Sequence, residues 1–140
     1  MLVLDTDHLS ILERGGTESL RLRERLVSQS PEEVATTIIN FEEQMRGWLA
    51  YVAKARSLTQ QIEAYRRLRR HLDNYRLIPV LDFDEQAAAE LTHLQKARVR
   101  IGTMDLKIAA IALANDATLL TRNLSDFGKV PGLKVEDWTR

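Results

Sequence analysis

The chain has no cysteine, which excludes a disulfide framework, a thiolate zinc site and a cysteine nucleophile together. It has no apolar run approaching the ~20 residues that span a bilayer. Its first acid, Asp5, comes too early for the apolar stretch of a signal peptide, so a cytoplasmic protein is expected. Neither charge is in excess, with 20 basic against 20 acidic side chains, so the overall balance gives no pull towards nucleic acid. No glycine-rich phosphate loop occurs, and Ser10 and Ser125 lack the flanking glycines of a nucleophile elbow; nucleotide-hydrolysing and serine-nucleophile classes lose ground. No internal repeat or low-complexity segment interrupts the chain.

What is present fits one domain over residues 1–140. The hydrophobic fraction of 44% and the charged fraction of 29% suit a packed core without a long disordered tail. Charge is uneven in its distribution. From Arg46 to Arg76 eight basic residues face only Glu63 and Asp73, whereas Glu32, Glu33, Glu42 and Glu43 form an acidic stretch just before. A basic surface beside an acidic centre is expected.

Leu2-Val3-Leu4 reads as a buried strand ending at Asp5, followed by a tight turn and a short helix stopped at Gly15-Gly16. Thr17 or Ser19 can cap a second helix with Leu22 and Leu26 facing inward. Val34 to Ile39 has the β-branched composition of a central strand, with Asn40 as the cap of the next helix. Phe41, Met45, Trp48, Leu49 and Val52, then Leu58, Ile62, Tyr65, Leu68 and Leu72, recur at helical spacing and predict a helical pair joined near Ala55-Arg56-Ser57. Pro79 confines the Leu77–Leu81 strand to a sheet edge. Asp84 opens a helix through Leu94, and Leu106 to Ala114, apolar on nearly every face, predicts a helix buried against the sheet. Thr118–Thr121 is a further strand, Arg122 to Gly128 a polar loop, and Leu133–Val135 a final strand. Strands alternating with helices imply an α/β fold, a three-layer α/β/α sandwich with a mostly parallel central sheet.

In such a sheet ligands bind outside the carboxyl ends of the strands. Asp5 ends the first strand, Glu43 lies in the first turn of the helix after the Val34–Ile39 strand, Asp105 starts the buried helix and Asp126 follows the Thr118–Thr121 strand. Four carboxylates in one crevice raise one another's pKa values unless a cation compensates them. With only hard oxygen donors and no paired histidines, Mg²⁺ or Mn²⁺ is the expected ion. Taken singly, Glu43 and Asp105 near helix starts and Asp126 in a turn have ordinary structural explanations; Asp5, an acid closing an apolar strand, does not. His8, His71 and His93 read as surface or cap-like histidines. Trp48, Tyr51 and Tyr65 could stack bases, although aromatics at this spacing more often form core or a dimer contact. The arginine-rich stretch is more often a solvated face than an RNA track.

Leu4-Asp5-Thr6-Asp7-His8-Leu9 resembles the opening motif of PIN domains. Glu43, four residues before Gly47, is similar to that family's second acid; Asp105 followed by Ile108-Ala109-Ala110 resembles its third; and Leu120 to Asn123 with Asp126-Phe127 resembles its fourth. The order and compactness resemble VapC-type toxins of type II toxin–antitoxin systems. The resemblance implies a metal-dependent endoribonuclease acting on transfer or ribosomal RNA, a homodimer, and a cognate antitoxin protein as partner. Asp5, Glu43, Asp105 and Asp126 would be catalytic and bind the metal, and Thr6, Asp7, Thr121 and Asn123 would orient them or bind phosphate. Arg46, Arg66, Arg69, Arg70 and Arg122 are the candidates to meet RNA. Asp7 stands where relatives often have asparagine, and Asp126 is the acid most open to replacement. The alternatives are a haloacid-dehalogenase-like phosphatase using Asp5 and Asp7, whose later lysine and paired acids are not found, and a non-catalytic binding module on the same fold.

Overall fold

The computed structural model describes residues 1–140. Leu2–Leu4 form β1, and the chain turns at once into α1 (Thr6–Arg14), because the Asp5 carboxylate caps the helix by accepting the Thr6 amide at 2.9 Å. No separate turn intervenes. Gly15 ends α1 with φ 79°, a left-handed backbone that favours glycine. α2 (Thr17–Leu26) starts from Gly16 without a side-chain cap, so neither Thr17 nor Ser19 plays the expected role. Ser19 is instead buried, its hydroxyl taking a hydrogen bond from Arg23 Nε at 3.1 Å.

β2 (Val34–Thr37) is shorter than the β-branched run suggests. Thr37 leaves the strand and caps α3 (Ile38–Lys54) by accepting the Asn40 amide at 3.1 Å. Ile38 and Ile39 are therefore helical despite their strand propensity, because Ile39 is buried in the core from the first turn of that helix. Asn40 lies inside the helix and does not cap it. Ser57 and Gln60 form a capping box for α4 (Leu58–Tyr75), completing the expected helical pair. β3 (Val80–Leu81) follows Pro79, and Asp84 caps α5 (Glu85–Lys96) through the Ala87 amide at 3.0 Å. α6 (Thr103–Ala114), β4 (Thr118–Leu120), a single-turn α7 (Leu124–Phe127) inside the expected polar loop, and β5 (Lys134–Glu136) complete the chain.

The five strands form one parallel sheet in the order β3-β2-β1-β4-β5, with the proline-led β3 at one edge. Alternation along β1 and β4 divides the core into two layers. Val3 and Leu119 pack on one face against α5, α6 and α7, while Leu4 and Leu120 pack on the other with Leu9, Ile11, Leu22, Tyr75 and Trp138. In α6, Ile108 through Ala112 are all fully buried, so this helix sits within the α/β/α sandwich with no solvated stripe on its central turns. Small alanines there allow the close approach of α5.

This arrangement predicts which apolar residues carry stability. Ile111→Ala removes a fully buried side chain and lowers unfolding free energy by about 2–5 kcal/mol. Leu77→Ala, at an 86% exposed position, stays within about 0.5 kcal/mol of wild type. Urea titration of both variants measures the contrast, and equal effects would contradict the assigned core.

Candidate active site

The strand order places a switch point between β1 and β4, since the connection leaving β1 runs to β2 on one side and that leaving β4 runs to β5 on the other. A crevice opens outside the carboxyl ends of such strands. The first residue beyond β1 is Asp5 and the first beyond β4 is Thr121. Both are buried.

Asp5 Oδ1 accepts the Thr6 amide and Asn40 Nδ2, each at 2.9 Å, and Oδ2 accepts the Thr121 hydroxyl at 2.8 Å. Burial raises its pKa above the ordinary value; the Thr121 bond opposes that rise, and the Asp7 charge adds to it. Asn40 is fully buried. Its Nδ2 also reaches Thr6 Oγ1 at 3.0 Å, while its Oδ1 takes the Thr37 hydroxyl at 2.7 Å. The cap residue of α3 thus orients the amide that holds Asp5.

Glu43 stands in the second turn of α3, not the first, because the helix begins at Ile38. Thr6 Oγ1 donates to its Oε1 at 3.4 Å. Its pKa is raised by burial, then by the charges of Asp5 and Asp105. Asp105, in the first turn of α6, is raised by burial, then by Asp5 and Asp126. Asp126, in α7, takes Asn123 Nδ2 at 3.2 Å and pairs with Lys129 at 3.5 Å. All four acids therefore share one electrostatic neighbourhood. No three acid or imidazole side chains stand close enough, as they lie, to hold one ion together. The donor set is nonetheless all carboxylate oxygen, which fits a hard divalent cation and not zinc or copper.

Asp7 behaves oppositely. Burial pushes its pKa up, but bonds from His8, the Arg122 amide and Thr121 outweigh it and hold the carboxyl below its ordinary value. His8 is fully buried, contrary to the surface reading, with Nδ1 2.7 Å from Asp7 Oδ1 and Nε2 accepting the Trp138 amide at 3.1 Å. His71 is also buried, stacked on Phe41 at 5.0 Å; its ring nitrogens have no partner, and burial lowers its pKa. His93 alone is exposed as expected. Asn40 and His8 are the site residues that sequence reasoning missed. The adjacency of His8 to Asp7 was the available signal for one; for the other it was the position of Asn40, three residues after a threonine able to cap.

Several of the candidate arginines pair with acids. Arg46 pairs with Glu42, Arg69 with Asp73 at 3.3 Å, and Arg122 with Glu18 at 3.1 Å. Arg70 lines a cavity of about 560 Å³ with Arg14, Arg67 and Trp48, a cavity that none of the four acids lines. Tyr51 and Tyr65 are exposed, outside the core.

Comparison with known proteins places these features among relatives. The family model described as PIN domain matches residues 2–133. Ribonuclease VapC2 of Rickettsia felis is 36% identical over 67 residues, 45% of this chain and 50% of that protein. The tRNA(fMet)-specific endonuclease VapC of Salmonella typhimurium is 35% identical over 65 residues, 44% of this chain and 49% of that protein. The chain spans about half the length of the curated relatives it matches. The structure of VapBC-1 from nontypeable Haemophilus influenzae superposes with a TM-score of 0.70 at 26% identity, covering 99% of this chain and 98% of that one. No helix here is long and apolar enough to cross a membrane.

The acids carry a stability signature. Folding raises the Asp105 pKa, so between the unfolded and folded values the native state holds more protons and stability falls as pH rises through that window. Asp105→Asn removes this penalty. In chelator at pH 7 the variant should melt above wild type, with the two converging as pH falls towards the ordinary value of 3.8. A variant no more stable at pH 7 would show that Asp105 is not held against its neighbours.

Proposed function

The chain belongs to the PIN domain family, and from that premise we propose that it is a divalent-metal-dependent endoribonuclease of the VapC type, the toxin of a toxin–antitoxin pair. The observation that carries this reading is the gathering of carboxylates at the switch point, where Asp5 follows β1 beside Thr121, Thr6 bonds both Asp5 and Glu43, and the Asp5 charge raises both Glu43 and Asp105. Asp5, Glu43 and Asp105, with Asp126 beside them, would hold Mg²⁺ or Mn²⁺. A bound ion of this kind lowers the pKa of water, making a nucleophile for a phosphodiester at neutral pH. The protein's own contribution is orientation. Asn40 and Thr121 fix both oxygens of Asp5, Thr6 reaches Glu43, and Asn123 reaches Asp126.

The names of the relatives support RNA as substrate, and one of them, specific for tRNA(fMet), favours transfer RNA over ribosomal RNA. The solved VapBC complex supports an antitoxin as partner. Homodimerisation belongs to the same proposal. The phosphatase alternative finds no support in a chain whose family match is PIN, and the presence of all four acids argues against a non-catalytic binding module.

Purified chain incubated with total transfer RNA should cut it in Mg²⁺ or Mn²⁺ and not in EDTA. Asp5→Asn and Asp105→Asn should each lose activity by more than the roughly 10- to 100-fold typical of residues that merely support metal ligands, while keeping a native circular dichroism spectrum. Undiminished cleavage by either variant would refute its assignment to the metal. Labelling of Asp5 as an aspartyl phosphate would restore the phosphatase reading.

A further inference from the structure

His8 belongs to no part of the chemistry described so far, yet it is fully buried and both of its ring nitrogens are engaged. The Trp138 amide can only donate, so Nε2, 3.1 Å away, must present its lone pair. The ring proton of a neutral imidazole then sits on Nδ1, 2.7 Å from Asp7 Oδ1. Asp137 Oδ1 lies 3.8 Å from Nε2, beyond hydrogen-bond reach, and is already bonded to the Thr139 amide and hydroxyl at 2.9 and 2.6 Å. The backbone near the C-terminus thereby selects the tautomer that donates towards the acidic crevice.

Asp7 passes this constraint on. With Oδ1 held by His8, its Oδ2 accepts the Arg122 amide at 2.9 Å and lies 3.2 Å from the Thr121 hydroxyl. That hydroxyl is closer to Asp5 Oδ2, at 2.8 Å, and itself accepts the Asn123 amide at 3.0 Å. A chain of contacts therefore runs from Trp138 through His8 and Asp7 to Thr121, Asp5 and the Asn123–Asp126 turn. We propose that His8 is a positioning residue, an Nδ1–H donor that pins Asp7 and so sets the Thr121–Asp5 pair and the loop carrying Asp126. Asp7 thus braces the crevice, with Oδ1 on His8 and Oδ2 on the Arg122 amide. The inference rests on the nuclease reading for its consequence, though not for its geometry.

Three measurements on the full chain test it. Long-range ¹H–¹⁵N spectra of the histidine rings should show His8 as a neutral imidazole protonated at Nδ1; an Nε2–H tautomer or an imidazolium overturns the proposal without reference to activity. His8→Asn keeps an amide donor near the Nδ1 position, whereas His8→Gln keeps an acceptor near Nε2 and gives Asp7 no donor. Mn²⁺ affinity measured by calorimetry should be within about 3-fold of wild type for the first and weakened about 10-fold or more for the second. In RNA cleavage the loss should appear in kcat with KM little changed. Equal losses in both variants, tracking their melting temperatures, would make His8 a core residue only. If either variant fails to fold, Asp7→Asn serves, because a carboxamide cannot accept from His8 on one side and from the Arg122 amide on the other; wild-type Mn²⁺ affinity there overturns the proposal. A chain that cleaves no RNA at all would sink the nuclease reading, while the tautomer and ion affinity still decide the role of His8.

Discussion

A carboxylate at the buried end of a central strand has to be compensated, and much of the site's local structure follows from how Asp5 is. Removing its charge from water costs several kcal/mol unless donors replace the lost hydration. Three are supplied from different segments: the Thr6 amide at the start of α1, the Asn40 carboxamide in α3 and the Thr121 hydroxyl after β4. Each requirement propagates. Asn40 can reach Asp5 only if α3 begins at Ile38, which cuts β2 short at Thr37 and makes that residue both cap and anchor of the carboxamide. Thr121 can reach only if β4 pairs beside β1 in the observed register, Leu4 opposite Leu120.

The two-layered core keeps these donors in place. Val3 and Leu119 face the layer built on α6, and Leu4 and Leu120 face the layer of α1, α2 and the end of α4. Asp5 and Thr121, one residue further along each strand, come off the same well-packed pair. α6 delivers Asp105 from its first turn while its central turns are wholly buried. A helix immobilised in this way sets the position of its N-terminal acid with little freedom, as a preorganised site requires.

Much of this is visible in the residues alone, for physical reasons that can be named. The apolar runs of β1 and β4, the Asp84 cap, the glycine stop after α1 and the proline-led edge strand are local signals, and the folded chain retains each. What was not visible depended on tertiary contacts. Ile38 and Ile39 have strand propensity, yet they are helical, with Thr37 capping the helix, Ile39 in the core and Asn40 bonded to Asp5. His8 looks like any polar residue in a first turn, and its Nε2 finds its partner in the Trp138 amide, 130 residues away. The arginine-rich stretch reads as one basic surface in one dimension, but in three Arg67 and Arg69 pair with acids along α4 and Arg46 pairs with one along α3. The acids were legible as a set because strand ends are legible; the distances between their side chains were not.

The directions of the pKa shifts divide those acids by role. Asp5, Glu43 and Asp105 are all raised, burial first and other acids next, so each would become more stable with a positive charge among them. Asp7, only two residues from Asp5, is lowered because protein donors satisfy it already. A cation entering the crevice gains most from carboxylates at which burial and neighbouring charge outweigh the protein's donors, and least from one at which the donors outweigh burial. Two aspartates of a single Asp-Thr-Asp motif therefore serve different ends: Asp5 faces the charge that must be neutralised, and Asp7, paired to His8, supplies the rigid acceptor against which Thr121 and Arg122 are set. An extra carboxylate at position 7 is tolerated beside an acidic centre because the donors around it are already in place.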